Sequence, residues 1–271
     1  MRRITKVHFG DWCSKPLLSI TRDRVAKRHA ELGERSHAQA NLAMRYLRAV
    51  FNFALARYLD AEGKPVLTDN PVSRLSQTRA WYRVERRRTV IKPHEVKPWM
   101  DAVLALENAH ARDYFLVVLL TGLRRNEAMG LRWRDVDLKN RTLTIPDPKN
   151  RQAHTLPLSD YVHELLVRRE AESFGDLVFE TPRGPLSNLR YAQEEVIERS
   201  GVSFTVHDLR RTFATVADSL DIPGYAVKAL LNHKQPGDVT AGYIVTNPDR
   251  LRQPMQRVTE YILKTGRGDG E

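Results

Sequence analysis

The stretch between residues 60 and 92 changes material twice, and no other feature limits the fold as strongly. Ahead of it, Leu47, Val50, Phe51, Ala54, Leu55, Tyr58 and Leu59 recur at three- and four-residue spacing, the mark of a helix that buries one face. Ser36 and Gln39 precede that stripe as an S-x-x-Q capping box, which satisfies the first free N–H groups of a helix. Residues 20 to 60 therefore read as two helices. Gly63, Pro65 and the pair Asn70-Pro71 then break the pattern. From Arg79 to Lys92 the chain turns basic. Arg79, Arg83, Arg86, Arg87, Arg88 and Lys92 are interleaved with Trp81 and Tyr82 against a single acid, Glu85. Such a run is usually a solvated linker, but between two domains of a basic protein a strap across a phosphate backbone is as good a reading. The expected division is a small helical domain over 1–77, filled from about residue 12, a basic interdomain linker over 78–92, a larger domain over 93–264 and a flexible tail over 265–271.

In the larger part, Trp99, Met100, Val103 and Leu104 suggest one helix and Tyr114 to Leu120 a second, buried one. Thr142 to Ile145 and His154 to Leu158 are β-like and are separated by a polar turn that holds Lys149. Leu177 to Phe179 could add a third strand before the turn from Thr181 to Pro185. Ser159 and Ser187 each look like the N-cap of a following helix, and Gly201 ends the second. A terminal amphipathic helix, Asp249 to Leu263, carries Leu251, Met255, Val258 and Ile262, and a frayed end is expected from Gly266 onward. The expected fold class is mainly α with a small antiparallel β-sheet, the sheet lying in a mixed α/β domain that follows a helical one.

Charge narrows the partners. The 271 residues hold 44 Lys and Arg against 33 Asp and Glu, a net +11. Such an excess concentrates polyanions near the surface and favours nucleic acid over small acidic molecules, although a merely basic soluble protein is an even alternative on charge alone. With 41% hydrophobic residues the chain can build a core. One cysteine, Cys13, allows neither an internal disulfide nor a Cys-based zinc site and suits a reducing cytoplasm. No apolar run follows Met1-Arg2-Arg3, and the longest clean one, Phe115 to Leu120, is too short for a signal or a membrane span. A soluble cytoplasmic protein without membrane contact is expected.

Four segments of the larger domain hold residue types suited to phosphate chemistry. They are Thr121-Gly122-Leu123-Arg124-Arg125-Asn126-Glu127; Lys149; His207-Asp208-Leu209-Arg210-Arg211-Thr212; and Leu231-Asn232-His233, followed ten residues later by Tyr243. His207 and Arg210, at i and i+3, share one helical face, whereas Arg211 points elsewhere. A histidine can exchange a proton near neutral pH. Taken singly each segment is weak, since a His and an Arg three apart will occur by accident among so many arginines.

In order and spacing, however, the segments resemble the tyrosine recombinase (phage integrase) family, whose pattern is T-G-x-R-x-x-E, a hairpin lysine, H-x-L-R, L-G-H and a closing tyrosine. The likeness covers residues 93 to 264 and, more loosely, extends to the family's core-binding domain in the helical segment before them. The wording around His233 and Tyr243 looks like integrases of bacterial prophages and genomic islands. One departure is Leu-Asn-His for Leu-Gly-His, a mild one because asparagine best replaces glycine where a helix end needs a positive φ.

The resemblance implies six catalytic residues. Arg124 and Arg210 would clamp the non-bridging oxygens of a scissile phosphate, a task that suits the planar, always-charged guanidinium. His207 would be the general base, His233 would bond the phosphate or steady the nucleophile, and Lys149 would protonate the leaving 5′-oxygen, with Arg151 a nearby rival. Tyr243 would be the nucleophile, leaving a 3′-phosphotyrosine and a free 5′-hydroxyl. Because that linkage conserves the bond energy, rejoining needs no ATP or metal. No cofactor is expected, and the sequence holds no G-x-x-x-x-G-K loop, no H-E-x-x-H and no Asp-rich metal pattern.

By the same resemblance the two domains close as a clamp on double-stranded DNA attachment sites. The protein would be a homotetramer on DNA and a monomer free in solution, with accessory DNA-bending factors, at the nucleoid of a bacterial cytoplasm. Longer relatives carry an amino-terminal arm-binding domain, which nothing before residue 12 is expected to supply. The helix after Tyr243 could dock on a neighbouring protomer or pack in cis. Two rival readings are a type IB topoisomerase-like enzyme and a catalytically silent DNA-binding relative.

Overall fold

A computed structural model describes residues 2–85, 87–148, 153–182, 184–186, 188–233 and 247–269. The chain divides into two compact units, Met1–Arg87 and Arg88–Glu271.

The first unit is helical: α1 (Arg2–Phe9), α2 (Arg22–Arg35), α3 (His37–Arg57) and α4 (Ser73–Gln77). Thr21 caps α2 by accepting the Arg24 N–H at 3.3 Å, and Ser36 caps α3 by accepting that of Gln39 at 3.3 Å. Val25, Met44, Leu47, Phe51, Val72 and Leu75 form the core, joined by Phe9 and Trp12. The unit therefore begins ahead of residue 12. The apolar stripe is buried at Leu47, Phe51 and Ala54, but α3 stops at Arg57, leaving Tyr58 54% and Leu59 52% exposed. There the Asp60 carboxylate takes the N–H groups of Glu62 and Lys64, a local turn that competes with further helix.

The unit boundary falls inside the basic stretch of 78–92, whose aromatic residues are anchored on the first unit. Tyr82 stacks between His29 and His37, with ring centroids 4.5 and 4.1 Å away. The Asn41 amide accepts the Tyr82 N–H at 3.3 Å and donates to its carbonyl at 2.8 Å. Gly33 makes room for the ring, since a Cβ there would stand 2.2 Å from the Tyr82 hydroxyl. Trp81 donates to Ser76 at 3.0 Å beneath the Arg48 guanidinium.

The second unit is built around α6 (Ala109–Thr121), apolar on almost every side and buried accordingly. Against it and one another pack α5 (Pro93–Leu104), α7 (Arg125–Met129), α8 (Asp160–Ala171), α9 (Arg190–Ser200), α10 (Val206–Ser219), α11 (Gly224–Leu230) and α12 (Pro248–Arg267). An antiparallel sheet runs in the order β1 (Val136–Asp137), β2 (Thr142–Ile145) and β3 (His154–Pro157), with Leu143 opposite Leu156 and Ile145 opposite His154. A two-stranded ribbon joins β4 (Glu180–Thr181) to β5 (Gly184–Pro185). The fold is thus mainly helical with a small antiparallel sheet.

Three local expectations change. The third strand of the sheet is β1, whereas Leu177 to Phe179 forms only an isolated bridge from Leu177 to Arg132. The N-cap of α9 is Leu189, with Asn188 accepting the Arg190 N–H at 3.0 Å, and Ser187 lies outside the described residues. The last helix continues to Arg267, so Gly266 is a buried packing position, where a Cβ would come within 3.2 Å of Met100. Its apolar residues Leu251, Met255, Val258 and Ile262 are buried in the core of their own unit, which places this helix in cis. Among the described residues no helix is long and apolar enough to cross a membrane.

Candidate active site

The end of α6 starts the site. Gly122 caps that helix at φ +67, and a Cβ on it would lie 2.8 Å from Phe213 and 2.9 Å from Leu231. Both the left-handed backbone and the close approach demand glycine here. The turn delivers Arg124 to the N-terminus of α7, where Glu127 fixes it twice: one carboxylate oxygen takes the Arg124 backbone N–H at 2.9 Å and the other its guanidinium at 2.6 Å. Arg125 is exposed.

The second arginine comes from α10. Asp208, buried, accepts the N–H and hydroxyl of Thr205, the hydroxyl of Thr89 and the guanidinium of Arg211. Arg211 is thereby committed to the protein, while Arg210, 5% exposed, turns inward and donates to the carbonyls of Gly122 and Leu231. Its second terminal nitrogen also meets His233 Nε2 at 3.1 Å. Because an arginine can only donate, His233 must present a bare Nε2 and is neutral in this arrangement.

The third component is the end of α11. The His233 N–H bonds the Lys228 carbonyl at 2.9 Å and the Asn232 N–H that of Ala229 at 3.2 Å, with Asn232 left-handed at φ +48. This is a Schellman motif, and the asparagine stands at its positive-φ position, as the sequence suggests. Those bonds leave the carbonyls after Ala229 to other partners. Arg210 takes Leu231 and Arg124 takes Asn232, the latter at 3.3 Å, so two guanidiniums from distant parts of the sequence are anchored on consecutive carbonyls. The negative end of the helix dipole favours cations at this place.

The electrostatics follow from that crowding. Burial, reinforced by Arg124, pushes the Arg210 guanidinium down to about 10. Burial also lowers His207 and His233. The neighbouring guanidiniums of Arg211, Arg210 and Arg124 add to the shift of His207, and those of Arg210 and Arg124 to that of His233. Both imidazoles are therefore neutral near pH 7, and both residues, partly desolvated by their neighbours, still reach solvent beside the buried Arg210. Two guanidiniums against one carboxylate leave a positive pocket open to solvent, able to receive an anion and, at neutral imidazoles, a proton.

Four of the six candidate residues, Arg124, His207, Arg210 and His233, thus share one site. Lys149 and Tyr243, with the rival Arg151, lie outside the described residues. Of the basic stretch, Arg79, Arg83, Arg87 and Arg88 are exposed and Arg86 lies outside the described residues. Sequence reasoning missed the carbonyl anchors and His154, an imidazole influenced by Arg210, Arg124 and Glu127. It also gave Asp208 no role. A surface cavity lined by Arg141, Asp160, Arg252, Gln256 and Arg257 among others shares no residue with the site, and its arginines are already bonded, Arg141 to Asp160, Arg252 to Asp249 and Arg257 to the Leu220 carbonyl.

A mainly helical fold that gathers two guanidiniums and two imidazoles at one place defines a class of anion-binding site, and comparison with known proteins narrows the class. Residues 89–250 match the model of the phage integrase family, and the chain belongs to that family. It is 30% identical over 184 residues to prophage integrase IntF of Escherichia coli K12, a match covering 64% of this chain and 39% of that protein. It is 26% identical over 239 residues to the integrase of Shigella phage Sf6, covering 83% and 58%. The chain thus spans only part of the length of these relatives. A lambda integrase dimer bound to a COC' core site has the same fold at 22% identity, with a TM-score of 0.64 over 86% of this chain and 85% of that one.

Proposed function

We propose that the protein is a site-specific DNA recombinase, an integrase that cuts and rejoins strands through a 3′-phosphotyrosine on Tyr243. The observation that carries the reading is the convergence of Arg124 and Arg210 on consecutive carbonyls beside two neutral imidazoles, in a chain of the phage integrase family. In the reaction, the Tyr243 oxygen attacks phosphorus as its proton passes to His207. The P–O5′ bond breaks, and Lys149 supplies a proton to the leaving oxygen. Arg124, Arg210 and His233 hold the non-bridging oxygens as charge builds on them. Attack by a 5′-hydroxyl reverses each transfer and releases the tyrosine.

The substrate is a pair of duplex attachment sites, and the working assembly is a tetramer on DNA, aided by accessory DNA-bending factors, at the nucleoid of a bacterial cytoplasm. Residues 1–77 serve as the core-type binding domain and residues 93–264 as the catalytic domain. Arg79, Arg83, Arg86, Arg87 and Arg88 contact the phosphate backbone between them, a salt-sensitive contribution without sequence readout. Integration of a prophage or similar mobile element fits the relatives named above.

The test is a duplex carrying the attachment repeat found in DNA flanking the gene, nicked near the crossover so that cleavage is irreversible. Wild type becomes covalently joined to it, while Tyr243→Phe binds with similar affinity and forms no adduct. An adduct with Tyr243→Phe sinks the assignment of the nucleophile.

A further inference from the structure

Three consecutive carbonyls end α11, and the third donor to them is one the reading above does not use. Besides Arg210 on Leu231 and Arg124 on Asn232, His154 Nε2 lies 3.2 Å from the carbonyl of Leu230. A carbonyl only accepts, so Nε2 carries the hydrogen. His154 opens β3 opposite Ile145. Burial lowers its pKa, and although the Leu230 carbonyl and Glu127 pull the other way, Arg210 and Arg124 add to the lowering. It therefore stands in the field of both guanidiniums and of the carboxylate that braces one of them.

We propose that His154 is a positioning residue: by holding the Leu230 carbonyl it fixes the turn 230–232, and through that turn the angle at which Arg210 and Arg124 present themselves to a phosphate. Helix α11 has seven residues and its end rests on one Schellman turn. Helix ends fray readily, and catalysis is sensitive to misplacement on the order of 1 Å. The imidazole ties that end to a sheet strand whose ladder is complete from Thr142 to Ile145. A histidine that merely fills space would influence stability but not one chemical step.

The proposal rests on the reading of Arg124 and Arg210 as a phosphate clamp, and the experiment separates the two. The nicked duplex is made with an ordinary scissile phosphate, or with a methyl group in place of one non-bridging oxygen, which removes the charge that the guanidiniums stabilise. His154→Leu is expected to slow covalent trapping on the ordinary phosphate by roughly tenfold to hundredfold, by analogy with groups that orient metal ligands from behind, with DNA affinity unchanged. On the methylphosphonate the slowing shrinks to a small factor, as it does for Arg210→Ala measured in parallel. His154→Gln, whose amide nitrogen can occupy the place of Nε2, restores trapping, and the shorter His154→Asn does not. Equal slowing by His154→Leu on both substrates overturns the proposal, as does equal behaviour of the Gln and Asn variants. Should His154→Leu fail to fold, the Gln and Asn pair on the two substrates decides alone. Absence of trapping by wild type on the ordinary phosphate counts against the recombinase reading and not against His154.

Discussion

Arg169 and Arg210 are both almost wholly buried in the second unit, 6% and 5% exposed, yet their surroundings are opposite. Arg169 has a carboxylate: Asp113, itself buried, meets it at 3.1 Å. Its remaining donors go to the Val178 carbonyl, at 3.1 and 2.9 Å, and to His110 Nδ1 at 3.0 Å, and its guanidinium lies over the Phe179 ring. The charge is answered from within. Among the described residues no carboxylate pairs with Arg210, which meets two carbonyls, one neutral imidazole and the like charge of Arg124. Burying a cation without a counter-charge is costly. A site of that kind suits an anion that arrives from outside, and between these two buried arginines the internal carboxylate marks the difference, whereas the less buried Arg124 keeps Glu127.

Three experiments press on that contrast. The largest effect is expected at the complete pair: Arg169→Met takes from Asp113 its buried partner, leaving it Arg112 and the more exposed Arg168, unpairs the Val178 carbonyl, and should cost about 3–5 kcal/mol of unfolding free energy. Urea unfolding measures it, while trapping per folded molecule stays near wild type. A variant as stable as wild type would erase the distinction from the structural side. Next, Arg210→Met should slow covalent trapping by about 10²–10³ while leaving the thermal midpoint unchanged or raised, because it removes an uncompensated buried charge. A large fall in stability there would make Arg210 an ordinary core residue.

The smallest effect is on pH. His110, His154, His207 and His233 all have folded pKa values lowered from the ordinary 6.5, chiefly by burial. Their unfolded forms bind protons first as pH falls, so stability is undiminished above about 6.5 and declines below it, levelling off under the folded values. Trapping should hold as pH falls past 6.5 and decline only around the lower folded value of His207, where the imidazole loses its capacity to accept a proton. Flat stability between about pH 5 and 7 would contradict the lowered values.

The sequence displayed some of this and hid the rest for identifiable reasons. Helix α3 was legible from its stripe and its Ser36 cap because both signals are local, and the stripe misled at Tyr58 and Leu59 because nothing periodic announces the turn that Asp60 closes. Strand β1 is two residues long, too short for any alternation, so the apolar run Leu177 to Phe179 looked the better third strand. In the site, Gly122, Arg124, His207 and Arg210 were visible through their spacing, as was the positive φ at Asn232. The anchors were not, since Arg124 reaches across 108 residues to a carbonyl, Arg210 across 88 and His154 across 76. Carbonyls are common to every residue and leave no signature in a sequence. The same distance conceals the partnership of Arg169 with Asp113.

The carbonyls that orient the two guanidiniums belong to the main chain, so what they offer does not depend on which side chains stand at positions 231 and 232. Position 232 can exchange among residues that accept a left-handed backbone, whereas Leu231 is held by its own place in the core. Asn232, where the family pattern reads glycine, holds that torsion at +48°. What heredity has to preserve at this corner of the molecule is an angle, and residue-by-residue comparison will underrate it.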